Sequence, residues 1–292
     1  MALLKRFTVT AMGMAVAASL VGCGQSATSS PATAVGASAT ASTESPAAQN
    51  VVVGMDASFA PWESIEGSQP VGIDVDLINA ILSRVNMKAE IQNVPFDGLI
   101  PALKSKRIGI VISAMYDNIE RQQSATFVDY YKQADGILGK SGQLAGVTTL
   151  SGLCGRKIAV LKGSTQESAA TDLSSSCPTD VADETKVLPY PADSQALLAL
   201  KSGRADVLFS DYTALVYAAQ QGGDQEFEAV RLTDSAVNLY GIAVDKGDTQ
   251  LAEQIRKGLE LIISDGTYAE ILKKYSVEEG AVTEAAINQG EK

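Results

Sequence analysis

Apolar and polar positions change rhythm several times along the chain, and each change marks an element. Residues 7–20 form one nearly unbroken apolar run behind Lys5 and Arg6. From residue 51 onward, short β-rich runs alternate with stretches of helical period. Val51, Val52 and Val53 read as a strand, and residues 74–85 place Val75, Ile78, Ile81, Leu82 and Val85 on one face of a helix. Residues 89–94 alternate as a strand does, 97–106 read as a helix, and 108–112 as a buried strand. A second series follows: strand 158–161, a helix opened by Ser164 with Glu167 in capping-box spacing, strand 185–188, helix 194–202, strand 205–209 and helix 211–220. After 239–244 come a long amphipathic helix over 249–264 and a short one ending at Tyr275. This β-then-helix rhythm predicts an α/β fold with mostly parallel sheets. Similar stretches, Leu103-Lys104-Ser105-Lys106-Arg107-Ile108 and Leu200-Lys201-Ser202-Gly203-Arg204-Ala205, hold corresponding places, so the pattern predicts two lobes of roughly a hundred residues each.

The ends of the chain have a different composition. Residues 1–22 read as an export signal, because the apolar run is too short to span a bilayer comfortably and ends in small residues. Leu20-Val21-Gly22-Cys23 resembles the lipobox of bacterial lipoproteins, which implies that Cys23 is acylated and becomes the new N-terminus. Residues 23–50 are rich in Ala, Ser, Thr, Gly and Pro with Glu44 as the single charge, so they are expected to form a flexible tether. Residues 278–292 are polar and are expected to fray.

No stretch after the signal approaches eighteen apolar residues. Without Lys5 and Arg6, the 23 basic residues fall to 21 against 34 acidic ones, a formal charge of −13. So acidic a body argues against nucleic acid and anionic lipid as partners. Beyond Cys23 the chain carries Cys154 and Cys177, an even pair that an oxidising compartment is expected to join. A metal site is the alternative for two cysteines, but the chain has no histidine and no CxxC, so neither metal nor cofactor is expected.

Four stretches carry candidate chemistry. In the first, Asp117 and Glu120 stand in capping-box spacing after the strand 108–112, predicting a helix that holds Arg121 near its start. Ser113, Ala114, Met115 and Tyr116 form the turn before it, and together the turn and the arginine suit a carboxylate. The alternative is a surface arginine paired with Glu120 or Asp117. The loop after the first strand carries Asp56, Phe59 and Trp62, an acid and two aromatics fit for a cation or a planar group, unless the rings pack under the loop. Asp74 and Asp76 read as a helix cap and a dipole partner rather than a site. Lys162-Gly163-Ser164-Thr165 joins a strand to a helix, a turn whose amides attract anions but which lacks the order of a nucleotide loop. Asp211 ends a strand, either capping the next helix or aiming a carboxylate into a cleft.

Taken in order, these pieces resemble the polar amino-acid type (family 3) of bacterial extracellular solute-binding proteins, the receptors of ABC importers. The matching stretches are Gly54 to Glu63, Gly72 to Leu77, Phe96 to Leu103, Ser113 to Met115 with Glu120-Arg121, Gly163 to Glu167, Gly203 to Val207 with Asp211, and Asp265 to Tyr268. The resemblance implies a two-lobed, type II periplasmic-binding-protein clamp with hinge crossovers at 136–139 and 239–243. Lobe one is then 51–135 plus 244–277, and lobe two 140–238. It also implies that Arg121 grips the α-carboxylate of a bound amino acid with the amide of Thr165, while Asp211 and the carbonyl of Ser113 take the α-ammonium. Phe59 and Phe96 are expected over the ligand side chain, and Asp56 at its polar or cationic tip. Tyr116 departs from the small hydroxyl residue usual at its position, which leaves room for a modified or smaller ligand. Leu161 favours the basic-amino-acid branch. The expected protein is a lipid-anchored monomer on the outer face of the cytoplasmic membrane, delivering a polar or basic L-amino acid or close derivative to ABC permease subunits without being an enzyme. A ligand-sensing receptor component and a dehydratase-like enzyme are the alternatives on this fold.

Overall fold

The computed structural model describes residues 48–178, 183–221 and 226–291. The expected export signal, the Cys23 anchor and nearly all of the tether lie outside the described residues. The chain enters through β1 (Gln49–Met55), which takes up two residues of the expected tether. It then forms a small antiparallel sheet of β2 (Ser58–Phe59), β3 (Glu63–Glu66) and β4 (Gln69–Val71). Next come α1 (Ile73–Arg84), β5 (Met87–Asn93), α2 (Leu99–Lys104), β6 (Ile110–Val111), the single-turn α3 (Ile119–Gln122) and β7 (Ala125–Gln133). A second series runs β8 (Asp135–Lys140), β9 (Lys157–Leu161), α4 (Thr165–Ser176), β10 (Lys186–Tyr190), α5 (Asp193–Lys201), β11 (Val207–Asp211), α6 (Tyr212–Gln221) and β12 (Phe227–Arg231). It closes with β13 (Asn238–Asp245), α7 (Thr249–Ser264), α8 (Thr267–Lys274) and β14 (Ala281–Ile287).

Two larger sheets result, ordered β14-β7-β13-β6-β1-β5 and β10-β9-β11-β8-β12. Both are mixed rather than mostly parallel. β1 runs parallel to β5 and β6, and β9 to β10 and β11, where a helix returns the chain between strands. Every antiparallel pair in them involves β7, β8, β12 or β13, which flank the passages between the sheets, or the terminal β14. A strand that arrives straight from another sheet has no crossover helix to turn it round.

Those passages lie elsewhere than expected. The chain leaves the first sheet at Ala134 and returns over residues 232–237, whereas 136–139 lies inside β8 and 239–243 inside β13. The polar tail also does not fray. β14 pairs antiparallel with β7 and buries Val282 and Ala285; three of its five apolar residues are alanine and they do not alternate, so they do not signal a strand.

Each sheet is covered on both faces. α1 and α7 bring Ile78, Ile81, Leu82, Ile255, Leu259 and Ile262 onto one side of the first sheet, and α2 brings Leu99 and Leu103 onto the other. α4 packs Ala170 and Leu173 on one face of the second sheet, and α5 and α6 pack Ala196, Leu200 and Leu215 on the opposite face. Each such large side chain contributes roughly 1.5–3 kcal/mol on burial. Cys154 and Cys177 are joined as a disulfide beside α4, closing a loop that restricts the unfolded chain by roughly 3 kcal/mol.

The start of α1 corrects one local expectation. Its cap position is Gly72, at φ 131°, where a Cβ would lie 2.2 Å from the carbonyl oxygen of Trp62. The helix is capped by the preceding loop, with Pro61 and Trp62 carbonyls accepting from Ile73 and Asp74. The side chain of Asp74 is therefore spared as a cap and turns inward.

Candidate functional site

The carboxyl ends of the parallel strands point their loops toward one cavity, as open α/β sheets do. β1 leads to Asp56 and Phe59, β5 to Phe96, and β6 to the loop that carries Arg121. From the other sheet, β9 leads to Ser164 and Thr165, and β11 ends on Asp211.

The arginine loop is held from several sides. Asn118, not Asp117, caps α3, its Oδ1 accepting from the Arg121 N–H at 2.8 Å. Ala114 adopts φ 43°, a conformation that costs a non-glycine residue energy, and its N–H donates to Asp74 Oδ2 at 2.7 Å. The Arg121 guanidinium donates to the carbonyl oxygens of Tyr116 (2.8 Å) and of Gly163 (3.1 Å) across the cavity, and lies 5.5 Å from the centre of the Phe96 ring. Its partners are neutral carbonyls, so its charge is not neutralised by an ion pair among the described residues. Burial pushes its pKa down to about 10, which leaves it cationic at neutral pH.

The facing wall is acidic. Ser164 caps α4 through the N–H of Glu167, and Thr165 opens the helix with a first-turn N–H. Asp211 accepts from the hydroxyls of Tyr116 and Tyr240, each at 2.5 Å, and from Gln166 Nε2 at 2.8 Å. Tyr116 and Gln166 also reach Asp135, at 3.0 and 2.7 Å. Burial, then the charge of Asp135, lifts Asp211 to about 7 against the pull of the two phenols.

Phe59, Phe96, Ala114, Tyr116 and Arg121 line the cavity from the first sheet; Leu161, Thr165, Gln166, Phe209 and Asp211 line it from the second. The free volume between these walls is only about 20 Å³. A larger cavity of about 470 Å³ lies against it, sharing Tyr116, Thr165 and Phe209 as walls.

Three other candidates stand back from the lining. Asp56 is buried beside it, accepting from Ser58 Oγ (2.8 Å) and the Phe96 N–H (3.1 Å). Ser113 Oγ accepts from Asp56 N and donates to Glu63 at 2.7 Å. Trp62 is fully buried, edge-on to Tyr131 and Tyr240 at 4.7 and 4.8 Å, so it packs beneath the loop rather than facing the cavity. Gln166, Asp135 and Tyr240 are the contributors that sequence reasoning passed over. Gln166 alone had a signal, its place in the first turn after the Ser164 cap.

Behind the loop, Glu63 and Asp74 form a fully buried carboxyl pair. Asp74 accepts from Ala114 N and from the Tyr130 hydroxyl at 2.8 Å, yet burial still raises it to about 6. Burial, then the charge of Asp74, raises Glu63 well above the usual carboxylate range. The folded chain thus holds more protons than the unfolded one above pH 4, and its stability falls as pH rises. For Asp74 the loss amounts to about 3 kcal/mol, complete just above pH 6. Melting temperatures measured from pH 4 to 8 are expected to decline in the wild type and to decline less in Glu63→Gln; equal slopes would refute the raised titration of Glu63.

Residues 51–278 match the family model described as bacterial extracellular solute-binding proteins, family 3. The lysine/arginine/ornithine-binding periplasmic protein of Escherichia coli (strain K12) is 32% identical over 247 residues, covering 82% of this chain and 93% of that protein. An ancestral arginine-binding protein solved with arginine is similar at TM-score 0.72 and 33% identity, covering 78% of this chain and 99% of its own. An ancestral amino acid-binding protein described as a precursor of cyclohexadienyl dehydratase is similar at TM-score 0.69 and 27% identity, over 77% and 95% of the two chains.

Proposed function

This chain belongs to the bacterial extracellular solute-binding proteins, family 3, and from that premise we propose that it binds a polar or basic L-amino acid, or a close derivative, for delivery to an ABC importer. The carrying observation is one cation and one carboxylate held by different sheets around one cavity: Arg121, bound only to carbonyls, and Asp211, set in a ring of neutral donors. A zwitterion leaving water needs both its charges paired, and a planar guanidinium suits a carboxylate bidentately. Arg121 then takes the α-carboxylate with the Thr165 amide, and Asp211 the α-ammonium with the Ser113 carbonyl. Phe59 and Phe96 flank the side chain, with Asp56 near its tip. The carboxyls of Asp56, Asp135 and Asp211 outnumber the single guanidinium, so a cationic side chain is the better match in charge.

The ligand favours the closed arrangement of the two lobes because only there do both charges find partners. We assign lobe one to the first sheet and its helices, and lobe two to the second, hinged at Ala134 and 232–237. Cys23 carries the lipid that holds this monomer on the outer face of the cytoplasmic membrane, with residues 24–48 as a tether. Binding rather than catalysis is the reading, since the free cavity faces no histidine and Glu63 and Asp74 sit behind the loop. The likeness to a dehydratase precursor supports the enzyme alternative. Incubation with cyclohexadienyl acids is expected to yield no product.

A thermal-shift panel of L-amino acids on the purified protein tests the reading. Arginine, lysine and ornithine are expected to raise the melting temperature most; no shift with any amino acid would overturn it. Tyr116→Ser removes one of the walls the two cavities share and one of the donors to Asp211. It is expected to reorder the panel toward bulkier amino acids, and an unchanged order would show that Tyr116 does not limit the pocket.

A further inference from the structure

The last described residues, expected to fray, are fastened to the arginine loop. After β14 the chain turns at Asn288 (φ 53°), whose N–H donates to the Phe127 carbonyl while its Oδ1 accepts from Phe127 N at 2.8 Å. Gln289 N donates to Asp129 Oδ2 at 3.0 Å. Gly290 N donates to Asp117 Oδ2 at 2.7 Å, and Gln122 Nε2 donates both to Gly290 O and to Asp117 Oδ1, each at 2.9 Å. Asp117 N is tied in turn to the Leu239 carbonyl of β13 at 2.8 Å. The fit leaves no spare space, since a Cβ on residue 290 would lie 2.1 Å from the Asp117 carbonyl oxygen. Arg121 sits between the two residues held, Asp117 before it and Gln122 after it, on a helix of one turn that has little stability of its own.

We propose that residues 288–290 are a positioning strap for the ligand site: by binding Asp117 and Gln122 they fix the turn that aims the Arg121 guanidinium, so affinity depends on residues that never touch ligand. The proposal rests on the role given to Arg121, although the strap can be tested without ligand. It spares the turn the entropy of ordering at the moment of binding.

The strap carries its own proton. Asp129 is buried, its Oδ2 takes the Gln289 N–H, and burial together with the neighbouring Asp117 lifts it to about 8. Asp117 is the ionisable group that faces it, for β13 and β14 present Gly241 and Ala286 opposite. Above that pH two carboxylates repel beneath the strap.

The test compares wild type with a chain ending at Ile287 and with Gly290→Ala, titrated with L-arginine and followed by amide hydrogen exchange. Each change is expected to weaken arginine binding at least tenfold and to speed exchange at residues 118–122 at least tenfold, with exchange in β1 unchanged and melting lowered by a few degrees. Asp129→Asn is expected to bind as wild type does at pH 7 and to lose less affinity from pH 7 to 9. Wild-type affinity with wild-type exchange in both strap variants would overturn the proposal, and so would faster exchange spread evenly over the chain. If wild type binds no amino acid, the role of Arg121 fails, and exchange at 118–122 alone decides the strap.

Discussion

Arg121→Ala is expected to weaken binding of the preferred amino acid about a thousandfold while lowering the melting temperature by only a few degrees. The large effect follows from leaving a carboxylate buried without its partner, which costs about 3–5 kcal/mol, where 1.4 kcal/mol is tenfold in affinity. The small one follows from what Arg121 does in the unliganded fold, where it donates to two neutral carbonyls and holds no ion pair. Net contributions of such charge-assisted bonds are about 1.5–3 kcal/mol each, offset by the cost of taking the partly buried cation out of water. Calorimetric titration beside a melting curve checks both halves. Lost affinity with a collapsed melting temperature would make Arg121 a structural residue instead.

Asp211→Asn is expected to cost about a hundredfold in affinity, because an amide keeps the shape and one acceptor but not the charge that pairs with an ammonium. The fold should tolerate it. An ionised carboxylate at this position is strained by burial and by Asp135, so neutralising it removes a penalty while the amide oxygen still accepts from Tyr116 and the Tyr240 hydroxyl turns to accept from the amide nitrogen. The pH dependence distinguishes this role from plain packing. Asp211 titrates near 7, so wild-type binding should strengthen from pH 6 to 7 as the carboxylate forms, below the range in which Asp129 ionises, and Asp211→Asn should lack that rise. Parallel profiles would remove the charge role from Asp211.

What the sequence showed was what local chemistry dictates. The strand before Arg121, the Ser164 cap of α4 and the helical faces of α1 and α7 follow from short-range rules, and the structure has them. Asp211 was legible as a strand-end carboxylate, though nothing in its neighbourhood told that two tyrosines, 95 and 29 residues away, would hold it. Gln166 and Asp135 were hidden for the same reason, since one polar residue on a helix or a strand looks like another until a fold sets them face to face. Trp62 was misplaced because an aromatic in a binding loop and an aromatic beneath one have the same sequence. Asp117 stood in capping-box spacing with Glu120, but the strap takes its carboxylate and Asn118 caps α3 instead. The terminal strand was missed because its pairing with β7 is long-range and its apolar residues are mostly alanine without alternation.

Titration of wild type and Arg121→Ala with the amino acid that ranks first in the panel, and with its α-carboxamide, reads the carboxylate grip directly. Wild type should prefer the acid by about two orders of magnitude or more, the difference expected for one well-paired buried charge. Arg121→Ala should lose both the affinity and the preference. Equal binding of acid and amide by wild type, or undiminished binding of the acid by Arg121→Ala, would contradict the pairing of Arg121 with a ligand carboxylate.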